Sequence, residues 1–124
     1  MKTLFILMNH LLTKEQEKDA IENLNIDNFV VIGDENWGNI DPANKSILSG
    51  IESYKDKLKE QSKFGDVLLV QGDFGATYAM ANFAKSIGLI PIYATTRRIV
   101  SKQVEDGKLI IKREFKHERF REYE

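Results

Sequence analysis

Four short apolar runs, each separated from the next by a stretch long enough for a helix, decide what this chain can become. They occupy residues 3–8, 29–32, 67–70 and 89–94. None shows the apolar–polar alternation of a strand with one wet face, so each reads as a strand covered on both sides. Strands of that kind pair in parallel and need crossovers of about a dozen residues or more, usually helices. The crossovers carry helix signals. Thr13-Lys14-Glu15-Gln16 reads as a capping box, with Thr13 as N-cap and Gln16 reaching back, and Ala20, Ile21 and Leu24 give the helix behind it an apolar stripe. A second helix is predicted over 43–62, where Ile47, Ile51, Tyr54 and Leu58 recur at helical spacing. A third, rich in small residues, follows the third strand and runs to about Ser86, with Gly88 as its stop.

The chain changes character after the fourth run. A polar cluster, Thr95-Thr96-Arg97-Arg98, precedes an antiparallel hairpin read over 99–104 and 109–115, with its turn at Glu105-Asp106-Gly107-Lys108. The remaining segment, 116–124, alternates charge with aromatics and reads as a terminal stretch docked on the body or on a second subunit. The expected fold is therefore α/β: one Rossmann-like domain over 1–124, its mostly parallel sheet flanked by helices and ending in a C-terminal β-hairpin. That hairpin extends one edge of the sheet or reaches across to a partner subunit.

Composition narrows the function. The formal net charge is −1, which argues against a protein that coats DNA or RNA through a basic excess. There is no cysteine, so disulfides and thiolate chemistry are excluded, and two distant histidines without a suitable carboxylate partner make no metal site. The opening apolar run is too short to cross a bilayer and lacks a small-residue cleavage site. A cytoplasmic protein without cofactor or membrane partner is the expectation.

In sheets of this type ligands bind beyond the carboxyl ends of the strands, where strand order reverses. Three loops are predicted there. Asn9-His10 follows the first strand, and His10 is placed either to take a proton from a ribose hydroxyl or simply to hydrogen-bond within its loop. Gln71-Gly72-Asp73-Phe74-Gly75-Ala76-Thr77 follows the third. It matches neither a dinucleotide fingerprint nor a Walker loop, yet glycine and a helix N-terminus suffice for a phosphate; the competing reading is a tight turn whose Asp73 caps the helix. Thr95 to Arg98 follow the fourth, where the guanidinium groups either fork onto phosphate or form surface salt bridges. Trp37 reads as a lid over the domain's own core, and Phe74 as a ring that touches ligand.

Taken together, Leu-Met-Asn-His (7–10), Val-Gln-Gly-Asp-Phe-Gly-Ala-Thr (70–77), Ile-Tyr-Ala-Thr-Thr-Arg-Arg (92–98) and the closing His-Glu-Arg-Phe-Arg-Glu-Tyr (117–123) resemble a small stand-alone CRISPR-associated family. The likeness is to Csx proteins of type III systems with a CRISPR-associated Rossmann fold (CARF), and most to the Csx-twenty group. The resemblance implies a homodimeric ring nuclease that binds cyclic oligoadenylate across its two-fold axis. It would open the ring, cyclic tetra-adenylate first among candidates, without a metal, by attack of a ribose 2′-hydroxyl on the adjacent phosphate. On that likeness Asn9, His10, Thr95 and Thr96 are the catalytic candidates, while Gln71 to Thr77 with Arg97 and Arg98 hold the ligand. The alternatives are a protein that sequesters the same messenger without cleaving it, and an unrelated nucleotide-phosphate-binding domain of the flavodoxin-like sort.

Overall fold

The computed structural model describes all 124 residues. In chain order it contains β1 (Thr3–Leu7), α1 (Lys14–Leu24), β2 (Asn28–Val31), the single-turn α2 (Glu35–Gly38) and α3 (Glu52–Gln61) entered by a 3₁₀ turn. These are followed by β3 (Val67–Val70), α4 (Phe74–Ser86), β4 (Ile90–Glu105) and β5 (Lys108–Glu122). The strands form one sheet in the order β2-β1-β3-β4-β5. The first three pairings are parallel and the last is antiparallel. This is the expected α/β architecture.

Because side chains alternate along a strand, the sheet feeds two cores. Phe5, Leu7, Leu68 and Val70 pack with Trp37, Tyr54, Leu58 and Met80 on the α3/α4 side. Leu4, Ile6, Leu69, Ile92 and Phe120 pack with Ala20 and Ile26 on the α1 side. Every residue of β1 and β3 is buried, which is why those runs lack polar alternation.

Local signals set the helix ends. Both halves of the α1 capping box form: Gln16 N donates to Thr13 Oγ1 over 3.1 Å, and Thr13 N to Gln16 Oε1 over 3.0 Å. Asp73 caps α4 by accepting from Ala76 N at 2.9 Å. The expected helix over 43–62 is shorter, beginning only near Ser49. Upstream, Asp41 Oδ1 accepts from Ala43 N and Ser46 Oγ from Leu48 N, local bonds that compete with helical ones.

The larger difference is β4. It was expected to end at Ala94, with Thr95 to Arg98 as a loop; instead it continues unbroken to Glu105. β5 pairs with it from Glu122 opposite Ile92 out to Lys108 opposite Glu105, so the backbone groups of 95–98 are satisfied within a ladder. The segment 116–122 is likewise strand rather than a docked tail, and Phe120 is buried. Beyond a register shift at Thr95/Thr96 only these two strands remain, a projecting arm. Its tip is a two-residue turn in which Asp106 (φ 50°) and Gly107 (φ 74°) both have positive φ, as a type I′ hairpin requires. No helix is long and apolar enough to cross a membrane.

Candidate functional site

From β1 the chain passes to β2 on one side, and β3 takes its place on the other, so strand order reverses between β1 and β3. Their carboxyl ends are adjacent: Gln71 N donates to Leu7 O over 3.1 Å. The loops carrying Asn9-His10 and Gln71-Gly72-Asp73 therefore emerge side by side, each beside its own groove.

The first groove, about 450 Å³, lies over the ends of β1 and β2 and is lined by Asn9 and His10 with Gly33, Asp34 and Asn39. His10 is exposed, and its Nδ1 lies 3.0 Å from Leu11 O. A carbonyl only accepts, so this contact puts the ring proton on Nδ1 and leaves Nε2 of the neutral ring with its lone pair. Beneath this groove Asp34 receives the Tyr54 hydroxyl at 2.5 Å and Trp37 N at 3.2 Å. The Tyr54 hydrogen bond, ahead of all other influences, holds the Asp34 carboxyl below the usual carboxylate range. Burial first, and then this same bond, pushes the Tyr54 phenol up.

The second groove, about 540 Å³, lies between α4 and the strand ends. Gln71, Gly72, Phe74 and Thr77 reach it, joined by Tyr78, Asn82, Lys85, Tyr93 and Tyr123 at their respective elements. Phe74 is 94% exposed and Tyr78 72%, whereas Tyr93 and Tyr123 form a tilted pair with centroids 4.8 Å apart. Thr77 Oγ1 is buried there without a hydrogen-bond partner.

Several candidates have structural employment. Gln71 Oε1 accepts from Ala94 N at 2.6 Å and its carbonyl from Trp37 Nε1 at 2.9 Å, so this residue ties β3, β4 and α2 together. A side chain on Gly72 would fall 2.7 Å from Trp37 Nε1, so glycine is required there by the buried indole. Trp37 is indeed a core residue, standing edge-on to Tyr54. Asp73 serves as the α4 cap, Ala76 is buried within its first turn, and a side chain on Gly75 would meet only ordinary contacts.

Thr95 to Arg98 stand apart from both grooves, rising on β4 at the root of the arm. Thr95 Oγ1 donates to Arg119 O over 3.0 Å. Arg97 forks onto Glu118 through Nε at 3.1 Å and Nη2 at 3.0 Å. That bond raises the guanidinium and lowers the carboxyl. On the opposite side Thr96 pairs with His117, whose Nε2 lies 2.6 Å from Asp19 Oδ2. Arg98 makes no ion pair. The three expected loops thus reduce to two at the strand ends, with the fourth-strand cluster on a ladder beside them.

The model of the family described as "Uncharacterized protein MJ1673 family" matches residues 2–121. The chain belongs to that family. "Uncharacterized protein MJ1673" of Methanocaldococcus jannaschii is 45% identical over 126 residues, which span 99% of this chain and 98% of that one. No solved structure matches.

Sequence reasoning missed Tyr78, Asn82 and Lys85, although a signal was present. Phe74, Tyr78, Asn82 and Lys85 recur at i, i+4, i+8 and i+11, one face of α4. The contributions of Tyr93 and Tyr123 depend on the pairing of β4 with β5, which no local pattern reveals.

Proposed function

We propose that this protein is a ring nuclease of type III CRISPR defence, a homodimer that binds a cyclic oligoadenylate and opens it, cyclic tetra-adenylate being the first ligand to test. The observation that carries the reading is the juxtaposition at the strand-order reversal. An exposed imidazole with Nε2 free stands one strand away from a groove rimmed by exposed aromatic rings. Adenine stacks on such rings at roughly 1–3 kcal/mol per base. Phe74 and Tyr78 offer otherwise unexplained surfaces for it. The orphaned Thr77 hydroxyl supports a polar ligand group in the same groove.

In the proposed reaction a ribose 2′-oxygen attacks its adjacent phosphorus while its proton passes to His10 Nε2. The bond from phosphorus to the 5′-oxygen breaks, and that oxygen takes up a proton. The opened ring is left with a 5′-hydroxyl at one end and a 2′,3′-cyclic phosphate at the other; a second cleavage gives shorter linear fragments. Asn9, which lines the same groove as His10, orients the ribose for in-line attack. The removal of Thr95 and Thr96 from the strand-end loops onto the β4–β5 ladder, where Thr95 Oγ1 donates to Arg119 O, favours a second reading, in which the messenger is held without cleavage.

Incubation with cyclic tetra-adenylate in excess EDTA, followed by product separation, tests both. Linear fragments ending in 2′,3′-cyclic phosphate support cleavage. Intact ligand recovered from the protein supports sequestration, and no binding at micromolar concentration overturns both readings.

A further inference from the structure

Past its first pair, Thr96 and His117, which Asp19 of α1 still reaches, the arm has neither a third strand nor a helix layer against it. At the usual strand rise it projects about 33 Å. An isolated two-stranded ribbon is only marginally stable in water, and this one is apolar along one side. Strand alternation extends the α1-side face of Ala94 and Phe120 outward through Val100, Val104, Leu109, Ile111 and Phe115, with the basic Arg98, Lys102 and Arg113 set among them. Val104 is 74% exposed, Leu109 62% and Phe115 70%. The other face is the more polar, with Ser101, Gln103, Lys112 and Glu114 beside Ile99 and Ile110.

Charge identifies what covers that face. Residues 97–116 hold seven Lys and Arg against three acidic residues, whereas the rest of the chain holds eleven against sixteen. Arm against arm would set like charges together; arm against the body of another copy sets basic on acidic. A nucleic acid would answer the charge but leave Val104 and Leu109 against phosphate or water. We infer that the apolar face of the arm docks on the acidic body of a second copy, and that the exchange is reciprocal about a two-fold axis. Two ribbons of this length, each covering and covered along one face, bury roughly 1,600 Å² in total, the size of a stable interface. This deepens the dimeric reading given above by naming the surface that joins the copies.

The test is sedimentation of the full chain and of V104K/L109E. These two side chains face each other across the ladder, so opposite charges keep the ribbon paired while abolishing its apolar tip. Wild type is expected to be a dimer at micromolar concentration, and V104K/L109E a folded monomer with self-association weakened about a hundredfold or more. Ser101→Glu, on the other face, is expected to leave the dimer intact. A monomeric wild type, or a dimer that survives V104K/L109E, overturns the inference. So does an electrophoretic shift of RNA or DNA oligonucleotides that V104K/L109E abolishes, since the arm would then serve a nucleic acid. Calorimetry with cyclic tetra-adenylate separates the two proposals. A dimer that ignores the messenger ends the nuclease reading and leaves the arm in place; a messenger-binding dimer indifferent to V104K/L109E does the reverse.

Discussion

Gly72→Ala is the sharpest probe of why the loop after β3 has its sequence. The added methyl group would sit 2.7 Å from Trp37 Nε1, 3.0 Å from Cε2 and 3.1 Å from Cζ2. An indole is rigid and this one is wedged edge-on against Tyr54 at 85°, so it cannot yield by a small rotamer adjustment. Overpacking of this sort costs about 1–3 kcal/mol. If the ring moves, its N–H loses Gln71 O, and a buried donor left unsatisfied costs about 1–3 kcal/mol more. The expected total is about 2–6 kcal/mol, a fall in Tm of roughly 8–24 °C for a domain of this size. Gly75→Ala is the control, because its Cβ would meet Asp73 Oδ2 at 3.5 Å and Ile47 Cγ1 at 3.8 Å, both ordinary contacts. It lies in the first turn of α4, where alanine is the better helix former, and should be neutral or stabilising by up to about 1 kcal/mol. Urea unfolding followed by fluorescence reads both quantities at once, since Trp37 is the only tryptophan. A Gly72→Ala protein of wild-type stability with an unchanged emission maximum would falsify the packing argument and return Gly72 to the ligand.

Four further outcomes are expected. His10→Ala should bind cyclic tetra-adenylate normally while its single-turnover cleavage falls about a hundredfold or more; cleavage at the wild-type rate would remove His10 from the reaction. Arg98→Ala should leave cyclic tetra-adenylate binding within about twofold, because alternation along β4 turns it to the face opposite Tyr93 and the groove beside α4; a loss of about ten- to a hundredfold by calorimetry would bring the arm root into the site. Cleavage should be unchanged in excess EDTA, and strict dependence on added Mg²⁺ would require a carboxylate site instead. Burial opposes ionisation of Asp66, but the Lys63 and Thr3 backbone N–H groups and the Lys63 ammonium outweigh it and hold the carboxyl below its ordinary 3.8. Its folded-state pKa being depressed, this contribution is present above about pH 4 and is lost as the pH falls through the folded value, so stability should decline there in wild type and stay flatter in Asp66→Asn.

The parallel core was readable because its signals are local. Thr13 and Gln16 announced α1 within four residues, and the unbroken apolar runs of β1 and β3 announced two covered faces. The course of β4 was not readable, because Thr95 to Arg98 look like a loop until a strand more than twenty residues later is laid beside them. His117 reads as part of a charged terminal segment docked on the body or on a second subunit for the same reason, whereas β5 carries it as a strand residue onto Asp19. At the candidate site the sequence pointed to the right loops but not to their division of labour. That Gly72 accommodates Trp37, and that Gln71 bridges three elements, are facts of distant packing. Asp73 is the exception, since a helix cap was one of its two readings from the start.

At the root of the arm, Arg119 pairs with Thr95 and His117 with Thr96, leaving Glu118 as one residue more on β5 than β4 can match. A bulge of this kind bends its strand and tightens the local twist. The direction in which the arm leaves the domain is therefore set by a residue count, with Arg97 clamped to the surplus residue as a brace. Deleting Glu118 would preserve every side chain on the arm and every hydrogen bond of the core while pointing the ribbon elsewhere. In the dimer proposed above, geometry of assembly is thus separable from affinity: one codon steers, and the apolar stripe grips.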